Sequence, residues 1–204
     1  MKVSREQAVA NRDRVIDVAG SLFQQNGFDG IGIADVMKAA GLSHGGFYGQ
    51  FNSKDDLAVQ ACDRVLTKTI EKLDAVASRE PKPTLAMLLE RYLSAEHRAN
   101  VGEGCVFAAL AVDVARQDNP PLRRRFAEAV KSYVGIVARV VPGRSAEARR
   151  EKALATVSGM VGAMILARAV DDPALSDAIF AAVRNVMGAK MMGIEMMSTG
   201  KAAD

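Results

Sequence analysis

The chain has 204 residues, 49% apolar and 25% charged, the composition of a globular protein rather than a disordered one. At this length about 70% of the unfolded surface is buried on folding, and two cysteines, Cys62 and Cys105, exclude a disulfide scaffold. Net charge is +3, and residues 1–60 carry six Lys/Arg against seven Asp/Glu, so there is no bulk basic footprint of a nucleic-acid binder and any such case must rest on motif geometry.

The start, Met1-Lys2-Val3-Ser4-Arg5-Glu6-Gln7, is polar where a signal peptide has its apolar core, which leads us to expect a cytoplasmic protein. Ser4 with Gln7 forms a capping-box signature, and Val15, Ala19, Leu22 and Phe23 follow a helical stripe that Gly27 ends. Ile33, Val36 and Ala40 mark a short helix with Gly32 as N-cap. Gly41-Leu42-Ser43 is a tight connection to a second short helix, pinned to the core by Phe47 and Phe51. A long helix starts at Ser53, boxed by Asp56, and runs to about Ala77 along Leu57, Ala61, Val65, Ile70 and Leu73.

Beyond Pro81 and Pro83 the helical pattern resumes through Leu85, Leu88, Leu89 and Tyr92, and breaks at Val101-Gly102-Glu103-Gly104. Helices are expected from Cys105 to about Arg116, and then along Leu122, Phe126, Val130, Tyr133 and Val137 to Pro142-Gly143. Ser145 caps a long helix to about Val170. Asp172-Pro173 opens a last one, 173–191, through Ile179, Val183 and Met187. The uncharged run Ala153–Ala167, bounded by Lys152 and Arg168, falls short of the about 20 residues of a spanning helix, so a buried or interface helix and no membrane partner are expected. The fold class is all-α.

The segment from Gly27 to Phe51 holds the most information. Two short helices joined by a glycine turn form the helix-turn-helix pattern, whose second helix enters the DNA major groove. Gly45, Gly46 and Gly49 make that second helix locally poor, by about 2–3 kcal/mol in sum, and local rule-breaking tends to sit at functional positions. Spacing alone leaves a second reading open, a glycine-rich loop carrying two core phenylalanines. Gly41-Leu42-Ser43-His44-Gly45 also matches a hydrolase nucleophile elbow in letters, but that motif needs a strand before it and an acid and a histidine after it. Here a helix precedes it, and the only later histidine is His97. No metal motif or cofactor fingerprint occurs.

Gly27-Phe28, Ala40-Gly41-Leu42-Ser43, Phe47-Tyr48-Gly49-Gln50-Phe51 and Ser53-Lys54-Asp55-Asp56-Leu57 together resemble the DNA-binding domain of the TetR/AcrR family of bacterial transcriptional regulators. The resemblance runs without a gap over about residues 8–58. Gly104-Cys105 and Leu166-Ala167-Arg168-Ala169 resemble one branch of the family's regulatory domains. Two departures stand out: Gln50 replaces the usual histidine, and Gly32 replaces a threonine that often caps the short helix and touches phosphate.

The resemblance implies a helix-turn-helix DNA-binding domain over 1–53, joined by a long helix to a ligand-binding and dimerisation domain over 54–204. It implies that Tyr48 and Lys54 reach phosphates, that Ser43, His44 and Gly45 meet base edges, and that the chain is a regulator, a repressor as the family mostly is. Gln50 can still donate to a phosphate or base, and Gly32 completes the expected DNA-contacting set. Arg5, Arg12 and Arg14 are further phosphate candidates or a solvated helix face.

In the C-terminal helices Tyr92, His97, Cys105, Phe107 and Met164 are candidates to line a pocket for a small hydrophobic or electrophilic effector, with plain core packing as the alternative for each. Cys105 follows a glycine at an expected helix N-terminus, where the dipole lowers a thiol pKa. Gly159 and Gly162 permit close helix approach, and with Ile179 and Val183 they are expected to line a two-fold homodimer interface. Such a dimer sets two recognition helices about one DNA turn apart over a palindromic double-stranded operator. A helical enzyme using the C-terminal cavity and a protein-interaction module are the competing functions.

Overall fold

A computed structural model of the chain describes residues 4–191. Its helices are α1 (Arg5–Asn26), α2 (Ile33–Ala39), α3 (Lys54–Ala77), α4 (Leu85–Tyr92), α5 (Ala95–Ala99), α6 (Val106–Arg116), α7 (Pro120–Ala138), α8 (Ala146–Ala169) and α9 (Pro173–Met191), with a 3-10 turn at His44–Gly46 between α2 and α3. No strand occurs among the described residues.

The helix starts follow from side-chain caps that satisfy otherwise orphaned N–H groups. Ser4 accepts from Gln7 N–H, Ser145 from Ala148 N–H and Asp172 from Leu175 N–H. At α3 the Ser53 hydroxyl accepts from Asp56 N–H at 3.0 Å, but the Asp56 carboxylate reaches back to the backbone N–H of Asn52 rather than Ser53, so the box closes one residue early. That bond, ahead of the one from Gln60, holds the Asp56 pKa below its ordinary value.

At the N-terminal end α1 lies along α3, burying Val15, Ile16, Ala19 and Phe23 against Leu57, Ala58, Ala61 and Leu66. Phe28, Val36, Met37, Phe47 and Phe51 complete this core. Arg64 and Lys68 of α3 pair across the seam with Asp13 and Asp17 of α1; exposed pairs of this kind contribute about 0–1 kcal/mol each. In the remainder, α7 packs on α3 and α8, and α9 covers α8 and α4.

The two ends meet where α1 touches α6 and the loop before it. The Gln24 side-chain amide donates to the Gly102 carbonyl, and Asp113 of α6 accepts from the Phe28 N–H at 3.3 Å.

Candidate nucleic-acid interface and effector cavity

The α2-to-α3 segment departs from the expected pair of helices. Gly41 takes the left-handed φ of +71° that the turn requires. Beyond it only His44–Gly46 winds, as a 3-10 turn closed by Gly46 N–H to Ser43 O and Phe47 N–H to His44 O, and residues 48–50 form a further turn. Three glycines in this stretch remove the local preference that would make it an α-helix. What holds it is Phe47, fully buried and stacked on Phe51 with ring centroids 5.4 Å apart.

Around that anchor the surface is open. Ser43, His44, Gly45, Tyr48 and Gly49 are exposed, as is Gly32 at the N-terminus of α2, where no side chain caps the helix. Tyr48 is 68% exposed and meets Phe47 and His44 only edge-on, at 5.2 and 6.2 Å. Lys54 is half-buried at the first turn of α3. Gln50 turns inward, its amide donating to the Gly46 carbonyl at 3.2 Å. Arg12 is a structural clamp, donating to Gln60 at 2.6 Å with its guanidinium over the Phe51 ring. Arg14 donates to Asn11 at 3.0 Å.

The glycines of this tip answer no need inside the molecule. None of Gly45, Gly46 and Gly49 has a positive φ. A Cβ on Gly45 would meet nothing within 4 Å, and on Gly46 or Gly49 only ordinary contacts at 3.7 and 3.8 Å. The hydrolase-like string Gly41–Gly45 follows α2, not a strand.

A cavity of about 340 Å³ opens among α3, α4, α5, α7, α8 and the 100–105 loop. Tyr92, His97 and Cys105, three of the five expected ligand residues, line it; Phe107 and Met164 do not. Phe107 instead backs the wall, stacked 5.2 Å from Tyr133, and Met164 is core. The stripe on α7 showed Tyr133 as an inward residue, and its phenol in an otherwise apolar row was the available signal that it could face a void. Lys72, Arg91, Glu96 and Glu103 join the lining from four separate segments, which no local pattern connects.

Cys105 corrects an expectation. It is the N-cap of α6, yet burial pushes its thiol pKa up, outweighing the Tyr92 hydroxyl and the Ala108 and Phe107 N–H groups that favour the thiolate. Desolvation wins over the helix terminus. Burial likewise raises Tyr92 and Tyr133, and takes Cys62 up to about 12. His97 is pushed down, chiefly by burial; its Nδ1 sits 2.7 Å from the Tyr92 carbonyl, so the neutral ring donates there.

On the far side α8 is, among the described residues, the one helix long and apolar enough to cross a membrane, but it is packed into the bundle through Val157, Met160, Ala163 and Met164. Its outer face and that of α9 expose Leu154, Leu166, Leu175 and Val186. Gly159 faces inward: a side chain there would strike Met187 of α9, so its smallness serves packing within one chain. Gly162 has nothing within 4 Å, while Ile179 and Val183 are partly buried against the core.

The profile of the bacterial regulatory proteins of the tetR family matches residues 15–61. The fatty acid metabolism regulator protein of Bacillus subtilis is 24% identical over 126 residues, 61% of this chain and 62% of that protein. The HTH-type transcriptional regulator AcrR of Shigella flexneri is 35% identical over 54 residues, 26% of this chain and 25% of that protein. The chain thus spans less than two thirds of these curated relatives. The crystal structure of a TetR transcriptional regulator from Chloroflexus aurantiacus superposes with a TM-score of 0.74 at 23% identity, covering 92% of this chain and 97% of that one. Residues 15–61 thus match the DNA-binding segment of the tetR family of bacterial regulatory proteins, and the all-helical fold of the whole chain is that of tetR-family structures.

Proposed function

We propose that the protein is a sequence-specific DNA-binding transcriptional repressor that grips a near-palindromic operator as a homodimer and is tuned on it by a small, mainly apolar effector. One observation carries the DNA reading. Three glycines surround an exposed Tyr48 on a tip pinned by Phe47, with no steric or conformational demand inside the chain. Glycine lets a backbone approach another surface closely, and the family's tip approaches the major groove. Ser43, His44, Gly45 and Tyr48 meet the duplex in this reading, with Lys54 and Gly32 flanking. Gln50 acts through Gly46, whose carbonyl it holds. Few side chains remain for base readout, so DNA shape contributes to specificity.

The exposed apolar residues of α8 and α9 supply the dimer surface, since large exposed apolar patches mark partner faces, and Gly162 allows close approach of a second copy. Effector binding reaches the head through the loop at 101–104. That loop lines the cavity through Glu103 and Gly104, and it is tied to α1 by the Gln24–Gly102 bond. The similarity to a fatty acid metabolism regulator favours an apolar effector, and the buried, protonated Cys105 disfavours an electrophile.

DNA selected from a random pool by the purified protein tests the whole reading. The expected outcome is enrichment of a palindrome, bound with an affinity that falls steeply with salt as phosphate contacts require, by a species of twice the chain mass in light scattering. Protein that ignores duplex DNA in dilute buffer overturns it.

A further inference from the structure

The deep end of the cavity carries donors that the protein itself leaves idle. Tyr92 is 8% exposed and Tyr133 1%, both line the same space, and neither hydroxyl has a hydrogen-bond partner in the protein. The Tyr92 hydroxyl lies near the Cys105 sulfur without closing a bond to it. A buried donor left unmatched is costly, and native interiors hold few of them. Two in one cavity point to something that occupies it.

The surroundings define the occupant's chemistry. Leu73, Val76, Leu88, Ile136 and Met160 make the walls mainly apolar. Charge on the lining is balanced, with Lys72 and Arg91 against Glu96 and Glu103. At the deep end His97 is neutral, with Nδ1 committed to the Tyr92 carbonyl, and the Cys105 thiol is protonated. Arg168 is the nearest competing attraction, since its Nη1 has no partner. Its other nitrogens, however, donate to the Arg98 and His97 carbonyls, and it is not part of the cavity wall. With two cations against two carboxylates the lining carries no net charge to offset the water that an entering ion would lose.

We propose, resting on the reading of this cavity as the effector site, that its ligand is an uncharged, mainly apolar molecule bearing a carbonyl-type oxygen that accepts from the hydroxyls of Tyr92 and Tyr133. Binding is reversible and forms no bond to sulfur. The oxygen satisfies both phenols at once, while the apolar remainder lies along α3, α4 and α7.

The chain has three tyrosines, Tyr48, Tyr92 and Tyr133, so full-length protein labelled with 3-fluorotyrosine gives three fluorine resonances. Tyr92→Phe and Tyr133→Phe assign them. Acetophenone, ethylbenzene and benzoate serve as probes. Acetophenone is expected to shift the Tyr92 and Tyr133 resonances, leave Tyr48 in place, and bind roughly tenfold more tightly than ethylbenzene, as two modest hydrogen bonds allow. Each Phe variant, which removes only a hydroxyl, should cut that preference about threefold with ethylbenzene affinity unchanged, a pattern that mere loss of packing does not produce.

Ethylbenzene binding as tightly as the ketone, benzoate binding more tightly, or no shift of either cavity resonance up to the solubility limit of acetophenone overturns the proposal. Operator binding without any probe is measured alongside. Protein that prefers the ketone yet ignores DNA removes the regulatory reading and leaves this one. Protein that binds its operator but does not prefer the ketone does the reverse.

Discussion

The tip at 43–51 and the deep end of the cavity are opposite kinds of site. The tip has fewer side-chain atoms than its fold could carry: three glycines stand where a methyl would meet open space or ordinary contacts. The cavity end has more polar groups than its fold can satisfy, with the Tyr92 and Tyr133 hydroxyls unmatched. A deficit of side chains on a surface invites a large, rigid partner to come close. A surplus of donors in an interior invites a small partner to come in. Stability alone selects against both arrangements, which is why each reads as function.

The sharpest way to break the contrast is to remove the tip's one anchor. Phe47→Ala deletes a fully buried ring, a change that costs about 3–5 kcal/mol. Since the glycine turns around it have little stability of their own, thermal unfolding followed by circular dichroism should show a large drop in Tm. DNA binding should vanish even below that Tm, while the cavity still binds its probe. If DNA binding survives, the tip is not the reading element.

Cysteine chemistry probes the other end. With both thiols buried and their pKa values raised, each should react with a colorimetric disulfide reagent more than about tenfold slower than free cysteine at pH 7.5. Fast reaction at Cys105 restores the electrophile-sensing route.

Two surface changes then separate the tip's chemistry from its folding. Tyr48→Ala removes a 68% exposed ring and should leave Tm almost unchanged while weakening operator binding about tenfold, the worth of one good contact. Gly45→Ala enters open space and improves local propensity by up to about 1 kcal/mol, so Tm holds or rises slightly while DNA affinity falls. An affinity that rises with the stability contradicts close approach at Gly45.

Much of this was legible in local sequence. Ser4, Ser53, Ser145 and Asp172 cap as their spacing indicates, because a cap involves residues three positions apart. Most of the departures are matters of direction. A stripe says that Phe107 and Met164 face inward but not whether inward is a void or a neighbour. Gly159 looked like a docking position for a second chain, yet it accommodates Met187 of its own. Gln50 carried the chemistry of a base reader and caps Gly46 instead. The 3-10 turn at His44–Gly46 follows from the helix cost of its glycines.

The smallest expected effect concerns acid, and it divides the molecule along the same line. Burial, then the nearby Arg168 and Arg91 charges, keep His97 below its ordinary value of 6.5 despite the opposing bond to the Tyr92 carbonyl. At mildly acidic pH the unfolded chain therefore binds a proton that the folded chain refuses. Stability climbs with pH up to about 6.5 and declines as pH falls through that window. Asp56, held below its ordinary 3.8 by the Asn52 N–H, keeps its contribution until pH drops under that value. Melting curves between pH 7 and 5 should accordingly lose a few degrees in the native protein and less in His97→Gln. Asp56→Asn should lower Tm by a roughly constant amount above about pH 4.5 and converge on the native protein below it, as the native carboxylate takes up its proton. An equal slope in native protein and His97→Gln would assign the acid sensitivity to some other group and free the cavity's imidazole from any charged role.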